Sequence, residues 1–165
     1  MQNTPRTAAT GVIGGARRRL SRAARGQSLV EFALVLPILM IIVFGIIDFG
    51  MGLRSYISLT NATREGARFA AVGNPAGAYP ADCNGSTTTS VIGRVCVAIE
   101  GLDLADLQNV SVAYPNGQNP GESVIVSAEY TYNYITPLGD MVDFFSGGSF
   151  PDTLTLATDT DMRLE

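Results

Sequence analysis

Two carboxylates sit where carboxylates are costly. Glu31 is the only charged residue in the apolar run from Leu29 to Ile47, and Asp48 follows directly, between Ile47 and Phe49. An ionisable group in such a run either finds a partner or reaches water along its own stem. For Glu31 the alternatives are a dedicated pairing role or a side chain that snorkels to lipid headgroups. For Asp48 they are a neighbouring subunit or interfacial water. The other reactive groups are Cys83 and Cys96, the only cysteines. The chain has no His, and nothing in it has the spacing of a metal site or of a nucleophile beside its base. Asp103 with Asp106, and Asp159 with Asp161, fit solvated surface better than acid–base work. No glycine-rich phosphate cradle occurs. The expectation is a noncatalytic protein with no cofactor, no metal and no small-molecule substrate.

The element that must position the two acids is a membrane helix. A hydrocarbon layer of about 30 Å needs about 20 helical residues, and residues 27–53 supply them. At 165 residues the chain can hold one anchor and one small domain. Charge is segregated around the anchor. Six of the 11 basic residues, all arginine (Arg6, Arg17, Arg18, Arg19, Arg22 and Arg25), precede the first acid, whereas the remainder is strongly acidic; the net charge is −4. Arginines flanking a span stay in the cytoplasm, so the N-terminus is expected inside and the C-terminal part outside. The run lacks interleaved aromatics and abuts the span, which favours topology and lipid contact over nucleic acid. A cleaved secretory signal is not expected, because Asp48-Phe-Gly-Met-Gly-Leu-Arg54 has no small-x-small cleavage pattern. Pro37 removes one backbone donor and predicts a kink within the span. Gly45, Gly50 and Gly52 leave room for close helix contact, although their spacing is not Gly-x-x-x-Gly.

The junction Arg25-Gly26-Gln27-Ser28-Leu29-Val30-Glu31-Phe32 places a small residue at the end of the basic leader and an acid five residues on. This resembles a type IV prepilin processing site, and the resemblance implies cleavage by a membrane peptidase between Gly26 and Gln27. The stretch continues through Pro37 into Phe44-Gly-Ile-Ile-Asp-Phe-Gly50 and Thr60-Asn-Ala-Thr-Arg-Glu-Gly-Ala-Arg-Phe-Ala-Ala71. Over about Arg25 to Val72, and again in the tail Thr153 to Glu165, the chain is similar to the TadE-like family of minor pilin-like (pseudopilin) proteins. That resemblance implies a noncatalytic component of a tight-adherence pilus assembly and secretion system in the bacterial inner membrane. Its implied partners are membrane lipid, a prepilin peptidase, and other pilin-like subunits with their assembly machinery. Glu31 would then pair with the free amino group of a neighbouring processed subunit. The alternative is an unprocessed bitopic anchor whose outer domain binds a ligand or an envelope polymer.

Beyond the span the helix is expected to continue over residues 54–72, with Leu53, Tyr56, Ile57, Thr60, Thr63 and Ala67 recurring at spacings of three and four, and to stop at Gly73-Asn74-Pro75. Ser90 can cap a short helix carrying an apolar stripe of Val91, Ile92, Val95, Cys96 and Ile99. The period then changes to two. Val110, Val112 and Tyr114 alternate with polar or small residues, Val124 to Tyr134 form one face of a second strand, and Leu154 to Met162 one face of a third. The expected fold is α+β and membrane-anchored: a basic cytoplasmic leader (1–26), a transmembrane helix (27–53), its extracytoplasmic extension (54–72), and a small domain (73–165) with one short helix and a three-stranded antiparallel sheet. The tyrosines of the second strand read as a ligand surface or, more simply, as core. Residues 140–150 read as a membrane- or partner-binding segment or as a loop beneath the sheet. The topology places both cysteines outside the cytoplasm, where a Cys83–Cys96 disulfide would persist and would stabilise by about 3 kcal/mol through loop closure. Free thiols, with Cys96 buried as a small hydrophobe, are the alternative.

Overall fold

The structure, a computed structural model, describes residues 16–77, 83, 89–148 and 150–165, with side chains described from Gly26 onward. The start of the basic leader, most of the loop predicted after the long helix, and Ser149 lie outside the described residues. Two compact units are present, one of residues up to Ile42 and one of Val43–Glu165.

Helix α1 spans Ala16–Ala71 and runs through Pro37. Its segment from Gly26 is long and apolar enough to cross a membrane, and none of its most apolar stretch is buried in the protein. It stops where predicted. Gly73 takes a left-handed conformation (φ 79°) and donates its N–H to the Ala70 carbonyl at 2.9 Å, while Asn74 Nδ2 donates to the Phe69 carbonyl at 2.9 Å. Glycine reaches that conformation without the steric cost a Cβ would add.

Two further helices, a 3-10 turn and three strands follow in the second unit. Helix α2 is Val91–Ala98, capped by Ser90, whose hydroxyl accepts the Gly93 N–H at 3.1 Å. A single 3-10 turn, Leu104–Asp106, leads into strand β1, Leu107–Ala113. Strands β2 (Ser123–Asn133) and β3 (Thr153–Arg163) follow, joined by helix α3, Leu138–Ser146. The sheet is antiparallel in the order β1-β2-β3, with Val126 opposite both Val112 and Thr160, and a bulge between Leu107 and Asn109. The α+β expectation is met, with one addition. Residues 138–146 form a second short helix in place of the loop reading, because Leu-Gly-Asp-Met-Val-Asp-Phe-Phe-Ser gives about two and a half turns before Gly147 ends them at φ 80°.

The core forms where the inner face of the sheet meets α1 and α2. Val124, Val126, Ala128, Tyr130 and Tyr132 alternate inward along β2 and are buried with Val91, Val95 and Cys96 of α2. The tyrosines are therefore core residues. The face that α1 presents is lined by Leu59, Ala62, Thr63, Gly66, Ala67 and Ala70, all buried, whereas Leu53, Tyr56 and Ile57 stay exposed. Small residues carry this contact because they let helix and sheet backbones approach closely. Two hydroxyl pairs cross it, Thr60 with Thr158 at 3.4 Å and Thr63 with Thr160 at 3.1 Å. They satisfy buried oxygens that would otherwise be costly. Glu165 N donates to the Ala71 carbonyl at 2.9 Å, and Ser58 Oγ donates to the Glu100 carbonyl at 2.9 Å, closing both ends of the contact.

Gly66 marks the closest approach. A Cβ there would overlap Val95 Cγ2 and stand 3.6 Å from both Val126 Cγ1 and the Val91 carbonyl oxygen. Alanine would favour the helix by up to about 1 kcal/mol. Overpacking against a stiff, fully buried valine opposes it by about 1–3 kcal/mol and wins. Gly66→Ala is thus expected to lower the thermal midpoint of the detergent-solubilised chain followed by circular dichroism, and an unchanged or raised midpoint contradicts this packing.

Candidate functional site

Among the described residues, Asp48 is the buried charge. It lies on α1 with 3% of its surface exposed, and its carboxylate gathers four donors, three from the chain between β2 and α3 and one from Tyr132 within β2. Oδ1 accepts the Ile135 N–H at 2.9 Å, the Thr136 N–H at 3.3 Å and the Tyr132 hydroxyl at 3.4 Å; Oδ2 accepts the Thr136 hydroxyl. The two amides follow the last β2 residue, Asn133, and have left the ladder, so the carboxylate supplies the acceptor that a strand no longer does. Hydrogen bonds to an ionised acceptor are roughly twice as strong as neutral ones. Burial, and then the Asp48 charge, push the Tyr132 phenol above its ordinary range, which keeps it a donor. The acid expected to seek another subunit or interfacial water is satisfied within its own chain. Sequence gave no sign of Ile135 and Thr136 as partners, because backbone donors carry no residue signature.

Beside Asp48 lies an apolar groove of about 340 Å³, lined in part by Gly45, Phe49, Leu53, Tyr134, Leu138 and Leu156. Tyr134 stacks edge-on to Tyr132 with ring centroids 6.1 Å apart and lies 5.6 Å from the Phe150 ring. Of the three glycines expected to leave room for close contact, a Cβ at Gly52 would stand 3.8 Å from the Tyr132 ring, whereas nothing lies within 4 Å of a Cβ at Gly45 or Gly50.

Cys83 and Cys96 are joined as a disulfide with Cα atoms 5.2 Å apart, which ties the loop after α1 to the buried face of α2. On the neighbouring surface Arg94 forks onto Glu65 Oε1, at 2.9 Å from Nη2 and 3.1 Å from Nε, and lies 5.9 Å over the Phe69 ring. Both partners are substantially exposed, so this ion pair adds register more than stability.

Gly26, Gln27 and Glu31 all lie on α1 and are exposed. No neighbouring group comes within 4 Å of a Cβ at Gly26, and Gln27 Nε2 donates to Glu31 Oε1 at 3.3 Å across one helical turn. They are brought together by sequence proximity on one helix, not by tertiary packing. Among the described residues no group of three His, Cys, Asp or Glu could hold a metal ion.

The comparisons with known proteins add one finding. A family model described as TadE-like protein matches residues 26–68, beginning at Gly26 and including Glu31 and Asp48. No curated protein and no solved structure matches the chain.

Removing the Asp48 carboxylate leaves buried donors unpaired, which costs roughly 2 kcal/mol for a charge-assisted set. In Asp48→Ala the amides of Ile135 and Thr136 are therefore expected to exchange hydrogen roughly thirty-fold faster than in the parent. Asp48→Asn, which keeps one acceptor, is expected to fall between. Unchanged exchange at both amides in Asp48→Ala contradicts the latch.

Proposed function

We propose that the chain is a noncatalytic, pilin-like component of a tight-adherence pilus assembly and secretion system, made as a precursor and cut after Gly26 by a prepilin peptidase. The observation that carries this reading is the TadE-like match over residues 26–68, which starts at the proposed cleavage residue. Three features of the molecule support it. Gly26 is exposed with nothing crowding it, as a residue offered to a peptidase must be. The apolar side chains after it, Leu29, Val30, Phe32, Leu34 and Val35 among them, are exposed and need lipid or partner helices to cover them. The second unit is a small disulfide-tied domain, suited to an oxidising compartment.

In this reading residues 1–26 are a cytoplasmic leader, 27–53 the span, 54–72 its extension, and 73–165 an extracytoplasmic domain. The protein sits in the bacterial inner membrane as a single-pass subunit. Its partners are membrane lipid, the prepilin peptidase, and other pilin-like subunits with their assembly machinery. Cleavage after Gly26 creates a new amino group at Gln27. Inside a helical bundle of low dielectric, that ammonium attracts the Glu31 carboxylate of a neighbouring subunit far more strongly than in water.

Two substitutions separate the steps. Gly26→Phe places a bulky side chain at the cut and is expected to leave the chain at precursor size when a prepilin peptidase is co-expressed; size reduction equal to the parent counts against processing there. Glu31→Ala is expected to be cut normally but to lose most pilus assembly in a cell that depends on this protein. Wild-type piliation by that variant removes the assembly role of Glu31.

A further inference from the structure

Helix α3 carries two aromatic side chains that the described residues leave largely uncovered. Phe144 is 83% and Phe145 61% exposed, and their rings pack edge-on at 5.3 Å. Ile135 and Leu154, at either end of the connection that holds α3, are also exposed. Four exposed apolar side chains on or beside one short connection at the end of a sheet are too many to be left to water without cause.

Its surroundings say what covers it. The Asp48 latch fixes Ile135 and Thr136, and α3 begins two residues later at Leu138. Leu138 and Leu154 line the same groove as Gly45, Phe49 and Leu53, so the base of α3 lies beside the end of the apolar stretch of α1. There Ile46, Ile47 and Phe49 are themselves exposed. The apolar surface is thus continuous from residues that the spanning reading places in lipid, through the groove, to the sheet end that carries α3. Tyr56 and Tyr134 line that groove, and tyrosine favours the boundary between hydrocarbon and water.

We propose that α3 docks on the outer surface of the bilayer, with Phe144 and Phe145 inserted at the boundary between headgroups and acyl chains. Side chains of an interfacial helix typically reach about 5–10 Å into that region. The proposal rests on the spanning reading of α1. The interaction is hydrophobic and independent of anionic lipid. Asp140 and Asp143 on α3 and Asp152 after it are acidic, and no arginine or lysine occurs between Arg94 and Arg163. The insertion would hold the end of the sheet nearest α3 against the membrane and leave the turn between β1 and β2, at the opposite end, facing away.

The chain contains no tryptophan, so a single introduced one reports its own depth. The full-length chain is reconstituted into phosphatidylcholine vesicles with and without bromine on the acyl chains, carrying Phe144→Trp, Val35→Trp within the span, or Asn116→Trp in the β1–β2 turn. Quenching of Phe144→Trp by brominated lipid, with blue-shifted emission and no dependence on salt, is the expected result, alongside a quenched Val35→Trp and an unquenched Asn116→Trp. If Val35→Trp is quenched and Phe144→Trp behaves like Asn116→Trp, docking is overturned while the span stands. An unquenched Val35→Trp overturns the spanning reading and the docking with it. Shielding of Phe144→Trp that grows with protein density in the vesicle and not with brominated lipid assigns the helix to another protein surface and overturns lipid docking.

Discussion

The second unit depends on a change of surface along α1 at Asp48. Before that residue many large apolar side chains, Leu34, Ile38 and Ile46 among them, are exposed among the described residues; beyond it the helix buries a face of Leu, Ala, Thr and Gly against the sheet. Asp48 receives two backbone amides and one hydroxyl from the segment that follows β2, and a second hydroxyl from Tyr132 of β2. A carboxylate at the edge of an apolar run is costly unless its lone pairs are filled, and here they are filled by donors that have just left a sheet. One side chain thereby satisfies its own charge, ends the ladder of β2, and sets where α3 starts.

The rest of the contact follows from close approach. Gly66 admits Val95 of α2, and the threonine pairs Thr60 with Thr158 and Thr63 with Thr160 let polar oxygens sit in a tight seam without being orphaned. A three-stranded sheet covered on one face by α2 and part of α1 is near the lower limit of what a hydrophobic core can support. The Cys83–Cys96 bridge ties the chain at Cys83 to α2, and the main-chain bond from Glu165 to Ala71 ties the chain end to α1.

Much of this was legible in the residues. Alternation in β2 and β3, the Ser90 cap and the Gly73-Asn74-Pro75 stop each rest on a local rule, and local rules survive folding. Three things were not legible. The expected stripe of α1 includes Thr63 and Ala67, which are buried, but its larger members Leu53, Tyr56 and Ile57 are exposed, because the face that meets the sheet is built mostly of small residues whose periodicity is weak. Helix α3 was hidden because Gly139 and the acids Asp140 and Asp143 dilute its apolar pattern, and its Leu138 contact is tertiary. The partners of Asp48 were hidden because two are backbone amides. Nothing in tertiary packing marks Gly26, Gln27 and Glu31, whose meaning lies in the sequence pattern and in the match over residues 26–68.

The central claim is that the chain is a pilin-like precursor whose mature form starts at Gln27. N-terminal sequencing of the protein isolated from membranes of cells that hold a prepilin peptidase tests it most directly. The account predicts a chain beginning Gln27-Ser28-Leu29, and only the longer precursor when the peptidase is inactivated. A chain that keeps its residues before Gln27 in the presence of active peptidase would contradict it, and would leave an anchored domain with no part in pilus assembly by this route.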